Sequence, residues 1–304
     1  MKLDLYEEVT NRIIKQLEEG IIPWHKPWKV AGFYLDGKLD VTKLAFNRVT
    51  KSPYSLLNQM LLSKRGEYAS FKQWQDLGGK IKKGAKAEIV VFWKWLEYTK
   101  ESETEANEEN EVKTKKIPFL KYLQVFHIDD VENVEPLKIE VVKEANEFES
   151  VQQAEEIIDN YLSRENIKIG YGGDRAYYSP VLDCIQLPNR ASFNGNASEF
   201  YSTAFHEIVH STGAKHRLDR LSKTAFFGNT EYSQEELVAE IGASGMLNIL
   251  NLETKSSFKN NTAYIQSWLN VLKNDKKLIV HASSKAEKAI NYIFEGDNDE
   301  TYFN

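Results

Sequence analysis

Residues Phe205 to Ser211 read FHEIVHS, with histidines at 206 and 210 bracketing Glu207 in the pattern His-Glu-x-x-His. On a helix, positions i and i+4 share a face, so both imidazoles can reach one Zn²⁺ at the ~2.0–2.1 Å that ion takes with nitrogen. Glu207 then stands where a base takes a proton from an attacking water and passes it to the leaving amine of a cut peptide. The context predicts the helix this requires. Asn196 is a suitable N-cap with Glu199 three residues on, Phe200, Ala204, Phe205, Ile208 and Val209 supply an apolar face, and Gly213 a stop.

Such a site needs a third ligand, and three residues compete. The segment SQEELVAEIGA places Glu236 and Glu240 four apart, one face of a helix beginning near Ser233. In the arrangement of gluzincins, Glu236 binds the metal and Glu240 orients a ligand histidine from behind. Glu240 itself is the second candidate. His216 is the third, because HEIVHSTGAKH also fits the metzincin spacing, although Met246 sits in poor context for the methionine turn that spacing wants. Glu236 is the favoured ligand. Upstream, YYSPVLDCIQLP from Tyr177 reads as a short strand pair turning at Pro180, able to receive a substrate peptide as an added strand. His25, His127 and His281 stand alone and read as packing or surface residues.

A different chemistry marks the first half. Residues 20–86 hold 13 Lys/Arg against 4 Asp/Glu, interleaved with aromatics. PWHKPWK carries Trp24, Lys26, Trp28 and Lys29. Arg48, Tyr54 and Trp74 follow, then GGKIKKGAK with Lys80, Lys82, Lys83 and Lys86. Cations that track phosphates and flat rings that stack unpaired bases are what single-stranded DNA binding needs. Trp93 and Trp95, inside an apolar strand, read as core instead.

Several elements must hold these residues. Leu5 to Glu18 has helical periodicity and stops at Gly20, with Pro23 and Pro27 beyond. Shorter helices are expected at 53–63 and 70–77. AEIVVFWKWLEY (87–98) and FLKYLQVFHI (119–128) read as paired strands, joined by a solvated loop over 100–116 with six glutamates between 101 and 111. A linker is expected over 136–150, then a helix around 151–162, and two more helices after Lys255.

The 304 residues suffice for two domains, and 41% hydrophobic content excludes wholesale disorder. The net charge of −6 argues against a uniformly basic nucleic-acid protein, but it conceals a split. Residues 1–100 carry +7, residues 101–130 carry −4 and the remainder −9. One cysteine, Cys184, permits neither an internal disulfide nor a cluster of thiolate ligands. No secretory signal or membrane span is legible, so a soluble, cytoplasmic protein is expected.

The order of motifs resembles the ArdC-type antirestriction proteins of conjugative plasmids and related mobile elements. The likeness runs through YEEVTNRIIKQLEEGIIPWHKPW, FNRVTKSPYSLLN, WQDLGGKIKKGAKAEIVVFW and YLQVFHIDDVE, then through the segment from Tyr177 to Arg220, EELVAEIGA and the final WLNVLKND and SSKAEKAINYI. The resemblance implies an α+β chain of two domains. An N-terminal α+β domain (1–135) would bind single-stranded DNA, and a mainly helical zincin-like metallopeptidase domain with a small sheet (151–304) would follow the linker. It implies Zn²⁺ on His206 and His210, Glu207 as base, and an acidic third ligand within 236–240. The role it implies is protection of incoming plasmid DNA from restriction. The partners expected are single-stranded DNA and a protein substrate, either a restriction subunit or a protein bound to DNA.

Overall fold

The computed structural model describes residues 4–25, 33–35, 38–39, 44–99, 114–137, 147–221, 230–250, 252 and 262–295. In chain order the elements are α1 (Leu5–Glu18), a 3-10 turn at Pro23–His25, β1 (Phe33–Leu35), β2 (Lys38–Leu39), β3 (Ala45–Asn47), α2 (Leu56–Leu61), β4 (Gly66–Ser70), α3 (Phe71–Asp76) and β5 (Lys80–Ile81). There follow β6 (Glu88–Thr99), β7 (Thr114–His127), β8 (Val131–Glu132), α4 (Glu147–Glu165), β9 (Lys168–Tyr171), β10 (Tyr177–Ser179) and β11 (Cys184–Leu187). Among the described residues four helices follow: α5 (Ala197–Ser211), α6 (Thr230–Ile249), α7 (Thr262–Asn274) and α8 (Leu278–Glu295). The fold is α+β, with a largely helical second half carrying a small sheet.

α1 shows how local sequence sets an element. The Asp4 side chain accepts the N–H groups of Tyr6 and Glu7 at its start. At its end Gly20, with φ of +79°, allows Ile21 N–H to reach Gln16 and Gly20 N–H to reach Leu17, a Schellman closure. Val9, Ile13 and Leu17, four apart, form its buried stripe.

The first half is built on a four-stranded sheet ordered β3-β4-β7-β6, with β3 and β4 parallel and the other pairs antiparallel. The β6–β7 hairpin is longer than the sequence suggests. Its register runs from Glu88↔Val125 to Thr99↔Thr114, so residues 114–116, read as loop, are strand. Pro118 lies beyond the end of β4, where β7 has a neighbour on one side only, the position at which a strand tolerates proline. Residues 100–113 of the expected acidic loop lie outside the described residues. So do 138–146 of the expected linker, whose last residues, 147–150, already belong to α4.

The second half carries a small sheet ordered β10-β11-β9, leaving β10 at an edge beside α5. The two halves do not pack separately. Val9, Ile13, Leu17, Trp24 and Leu56 share one apolar cluster with Trp268, Leu272, Leu278 and Ile279. The Thr10 hydroxyl also donates to the Lys276 carbonyl at 2.7 Å. No helix among the described residues is long and apolar enough to cross a membrane.

Candidate metal centre

α5 forms as its sequence predicts, with the Asn196 side chain accepting the Glu199 N–H at 3.2 Å. α6 crosses it closely. A Cβ on Gly242 would stand 2.8 Å from Val209 Cγ2, so only glycine allows the two helices to approach this far. The crossing delivers Glu236 to the histidines. His206 Nε2 and His210 Nε2 are 3.1 Å apart, and each lies 3.5 Å from an oxygen of Glu236. Two nitrogens on a tetrahedral ion at ~2.0–2.1 Å would be separated by about 3.3 Å. Among the described residues these three are the group whose ligand atoms all fall within 4.8 Å of one another, and their spacing fits a single small divalent cation.

The charges are arranged for that ion. Burial alone would depress the His210 imidazole, but hydrogen bonds to Glu235 and Glu236 outweigh it and lift it to about 10. Burial likewise opposes ionisation of Glu236, yet His206 and His210 hold its carboxyl well below the usual carboxylate range. A metal ion competes for the proton these acids keep on the imidazole.

Glu207 is almost fully buried, and its Oε2 accepts the backbone N–H of Tyr178 at 2.8 Å. The first residues of the edge strand β10 thus fix the carboxylate that the motif assigns to proton transfer. A cleft of about 570 Å³ opens over this group between Tyr177, Tyr178 and Pro180 on one side and Gln234 and Lys285 on the other.

Glu240 does not join the ligand group. It faces His25 at 3.7 Å, and although burial pushes its carboxyl up, the hydrogen bond with His25 and the charge of His206 bring it down. His25, read from sequence as isolated, therefore lies behind the centre, and with His206, Glu207 and Glu240 it lines a cavity of about 180 Å³. The partner of His210 Nδ1 is Glu235, at 3.4 Å, itself held by Arg220 at 3.0 Å. Sequence reasoning missed Glu235 because its direction depends on how α6 crosses α5. His216 is excluded from the centre: it is 61% exposed and lies 3.4 Å from Asp183.

The residues expected to meet DNA separate into four groups. Trp24, Tyr54 and Trp74 are buried, which corrects the expectation that their rings stack bases. The Trp24 indole donates to the Tyr264 hydroxyl at 3.3 Å and meets Trp268 edge-on, and the Trp74 indole donates to the Phe126 carbonyl at 2.9 Å. Tyr54 packs edge-on against Tyr68. Prolines and lysines beside Trp24 gave it the look of a surface residue, but the shared core needs its bulk. Arg48 is neutralised by an ion pair with Glu67. Lys80, Lys82, Lys83 and Lys86 are exposed, with Lys82 Nζ donating to the Asp129 carbonyl at 2.6 Å. Lys26, Trp28 and Lys29 lie outside the described residues. Trp24→Ala should therefore cost about 3–5 kcal/mol of stability in urea titration. An unchanged midpoint would return Trp24 to the surface.

Comparison with known proteins places this geometry among relatives. The family model for the N-terminal domain of the anti-restriction factor ArdC matches residues 3–126, and a zincin-like metallopeptidase model matches 153–285. Two crystal structures of the antirestriction ArdC protein of plasmid R388 are similar throughout. The metal-free form is 31% identical with a TM-score of 0.68, covering 97% of this chain and 98% of the other. The Mn(II)-bound form is 30% identical with a TM-score of 0.69, covering 98% and 100%. An uncharacterized protein, y4eC, of Sinorhizobium fredii is 30% identical over 97% of this chain and 93% of its own length. The DNA primase TraC of Escherichia coli is 29% identical over 96% of this chain, which spans 27% of the primase.

Proposed function

Because this chain belongs to the ArdC antirestriction family, we propose that it protects incoming conjugated DNA of a mobile element, binding it single-stranded and cutting a protein beside it at a zinc-dependent peptidase centre. The observation that carries the peptidase part is the convergence of His206, His210 and Glu236 beside a Glu207 held by the Tyr178 N–H. The donor set of two imidazoles and one carboxylate suits Zn²⁺. The relative from R388 takes Mn(II).

When bound, the ion supplies Lewis acidity toward a peptide carbonyl and toward water. The chain's own residues do the rest. His206, His210 and Glu236 hold the ion, and Glu235 and Glu240 set the electrostatics behind them. The Tyr178 N–H occupies one oxygen of Glu207 and leaves the other to accept a proton from water and return it to the departing amine. The edge strand β10 offers an extended peptide a backbone to pair with. The protein substrate in this reading is a restriction subunit or a protein bound to the entering strand, met in the cytoplasm.

Glu207→Gln tests it. The variant should keep its metal and its affinity for an oligonucleotide, lose hydrolysis of a model protein by roughly 10²–10⁴-fold, and lose protection during conjugation. Full protection by this variant would replace the peptidase reading with a protein that coats single strands and uses its metal centre structurally.

A further inference from the structure

A second cavity, of about 670 Å³, exceeds the metal cleft in size and lies between the four-stranded sheet and α8. Its walls are apolar where the sheet and α2 contribute Leu57, Val91, Trp93 and Leu120. Phe92 and Leu123, 40% and 50% exposed, also line it from the opposite face of the β6–β7 hairpin to Val91, Trp93 and Leu120, so the cavity reaches round the edge strand β6. The exposed aromatic rings of the first half, among the described residues, are Phe71, Phe92 and Tyr122, and of these Phe92 lines this cavity.

The other wall is polar. α8 presents Ser284, Glu287 and Asn291 in succession along one face. The Asn291 Oδ1 is covered and meets no hydrogen-bond donor among the described residues, an acceptor left unmet at the cost that burial imposes. Burial pushes the Glu287 carboxyl up to about 8, against a hydrogen bond from the Leu56 N–H, so near neutral pH it is a hydrogen-bond donor more than a charge. Lys288 is exposed at the cavity, and Lys51 lies between the lining residues Thr50 and Ser52.

A ligand suited to this cavity has apolar faces, a polar edge with donors and acceptors, no charge on the inserted part, and a negative charge where it leaves. An acyl chain would leave the Asn291 Oδ1 unmet, and an anion would bring its charge against an apolar wall. We infer that the cavity receives an unstacked base of single-stranded DNA, with the adjoining phosphate at Lys288. This rests on the single-strand reading above and gives that reading a place, since the rings first assigned to stacking are in the core.

The test compares an oligonucleotide with an abasic strand of equal length, which keeps the phosphates and lacks the bases, by fluorescence anisotropy on the full chain. The wild-type protein should prefer the intact strand, and Phe92→Ala should erase roughly 5- to 150-fold of that preference, the worth of one stacked base. Phe92 is surface-exposed, so the variant should keep its urea midpoint, and Asn291→Leu should reduce the preference in the same sense. Lys288→Gln should weaken both strands equally and lower the slope of log affinity against log salt by about 1. If the wild type prefers the intact strand and neither Phe92→Ala nor Asn291→Leu changes the ratio, the base is held elsewhere and this inference fails. Equal binding of both strands by the wild type would also overturn it while leaving DNA binding intact. Binding of neither strand would remove the DNA reading itself.

Discussion

Glu236→Ala should leave the purified protein without tightly bound divalent metal, whereas His216→Ala should leave it loaded. Three candidate ligands converge here, and removing Glu236 leaves two imidazoles 3.1 Å apart without the carboxylate of the set. The loss should exceed the ~10–100-fold that follows from removing an outer-shell partner. That smaller loss is expected for Glu235→Gln, whose carboxylate steadies His210 through Nδ1 while Arg220 steadies it in turn. His216, 61% exposed and turned to Asp183, should contribute nothing. Metal content by elemental mass spectrometry, with affinity by competition against a chelator, ranks the three variants. Retention of metal by Glu236→Ala together with its loss from His216→Ala would reinstate the metzincin spacing.

Arg217→Met should destabilise the protein by about 2–3 kcal/mol, the loss of charge-assisted hydrogen bonds to two half-buried carboxylates and a backbone carbonyl. The Arg217 side chain is fully buried. It reaches Glu165 at 3.0 Å through Nε, both oxygens of Asp183 at 2.8 and 2.9 Å, and the Ser211 carbonyl at 3.0 Å. It thereby ties the end of α4, the β10–β11 turn and the end of α5 at one point. Tyr178, whose N–H holds Glu207, also donates its hydroxyl to Asp183 at 2.7 Å, so the same variant loosens the support of the proposed base.

The acid side of the stability curve checks the origin of this effect. Burial would raise Glu165 and Asp183, but hydrogen bonds, those from Arg217 among them, bring both below their ordinary values. Acids lowered in the folded state add stability above the ordinary carboxylate range and lose it as pH falls through that range toward their folded values. Urea midpoints measured down through that window should fall more steeply for the wild type than for Arg217→Met. Parallel curves would assign the loss to packing alone.

What the sequence revealed was what is local. α1 declares itself by a cap, a four-residue stripe and a glycine stop, and α5 by Asn196 and its apolar face. Glu236 was legible because helical spacing alone puts it and Glu240 on one side of α6. Contacts made by elements remote in sequence were not legible. Glu235 points at His210 only because Gly242 lets α6 settle onto α5. Of the neighbours His216 and Arg217, motif spacing drew attention to the first, while the fold buries the second. Trp24 carried the flanking chemistry of a surface ring, and its burial depends on Tyr264 and Trp268, some 240 residues away in the chain.

The apolar cluster joining α1 and Trp24 to α7 and α8 also bears on how such a chain can change over time. A protein whose front and back halves each had a sealed interior could lose or exchange one and keep the other. Here, excising the front would open the interior of the back to water. The primase relative fits that constraint, since the region it shares covers 96% of this chain and so takes in both halves together. The two halves travel as a single heritable block because neither can be subtracted without unmaking the other.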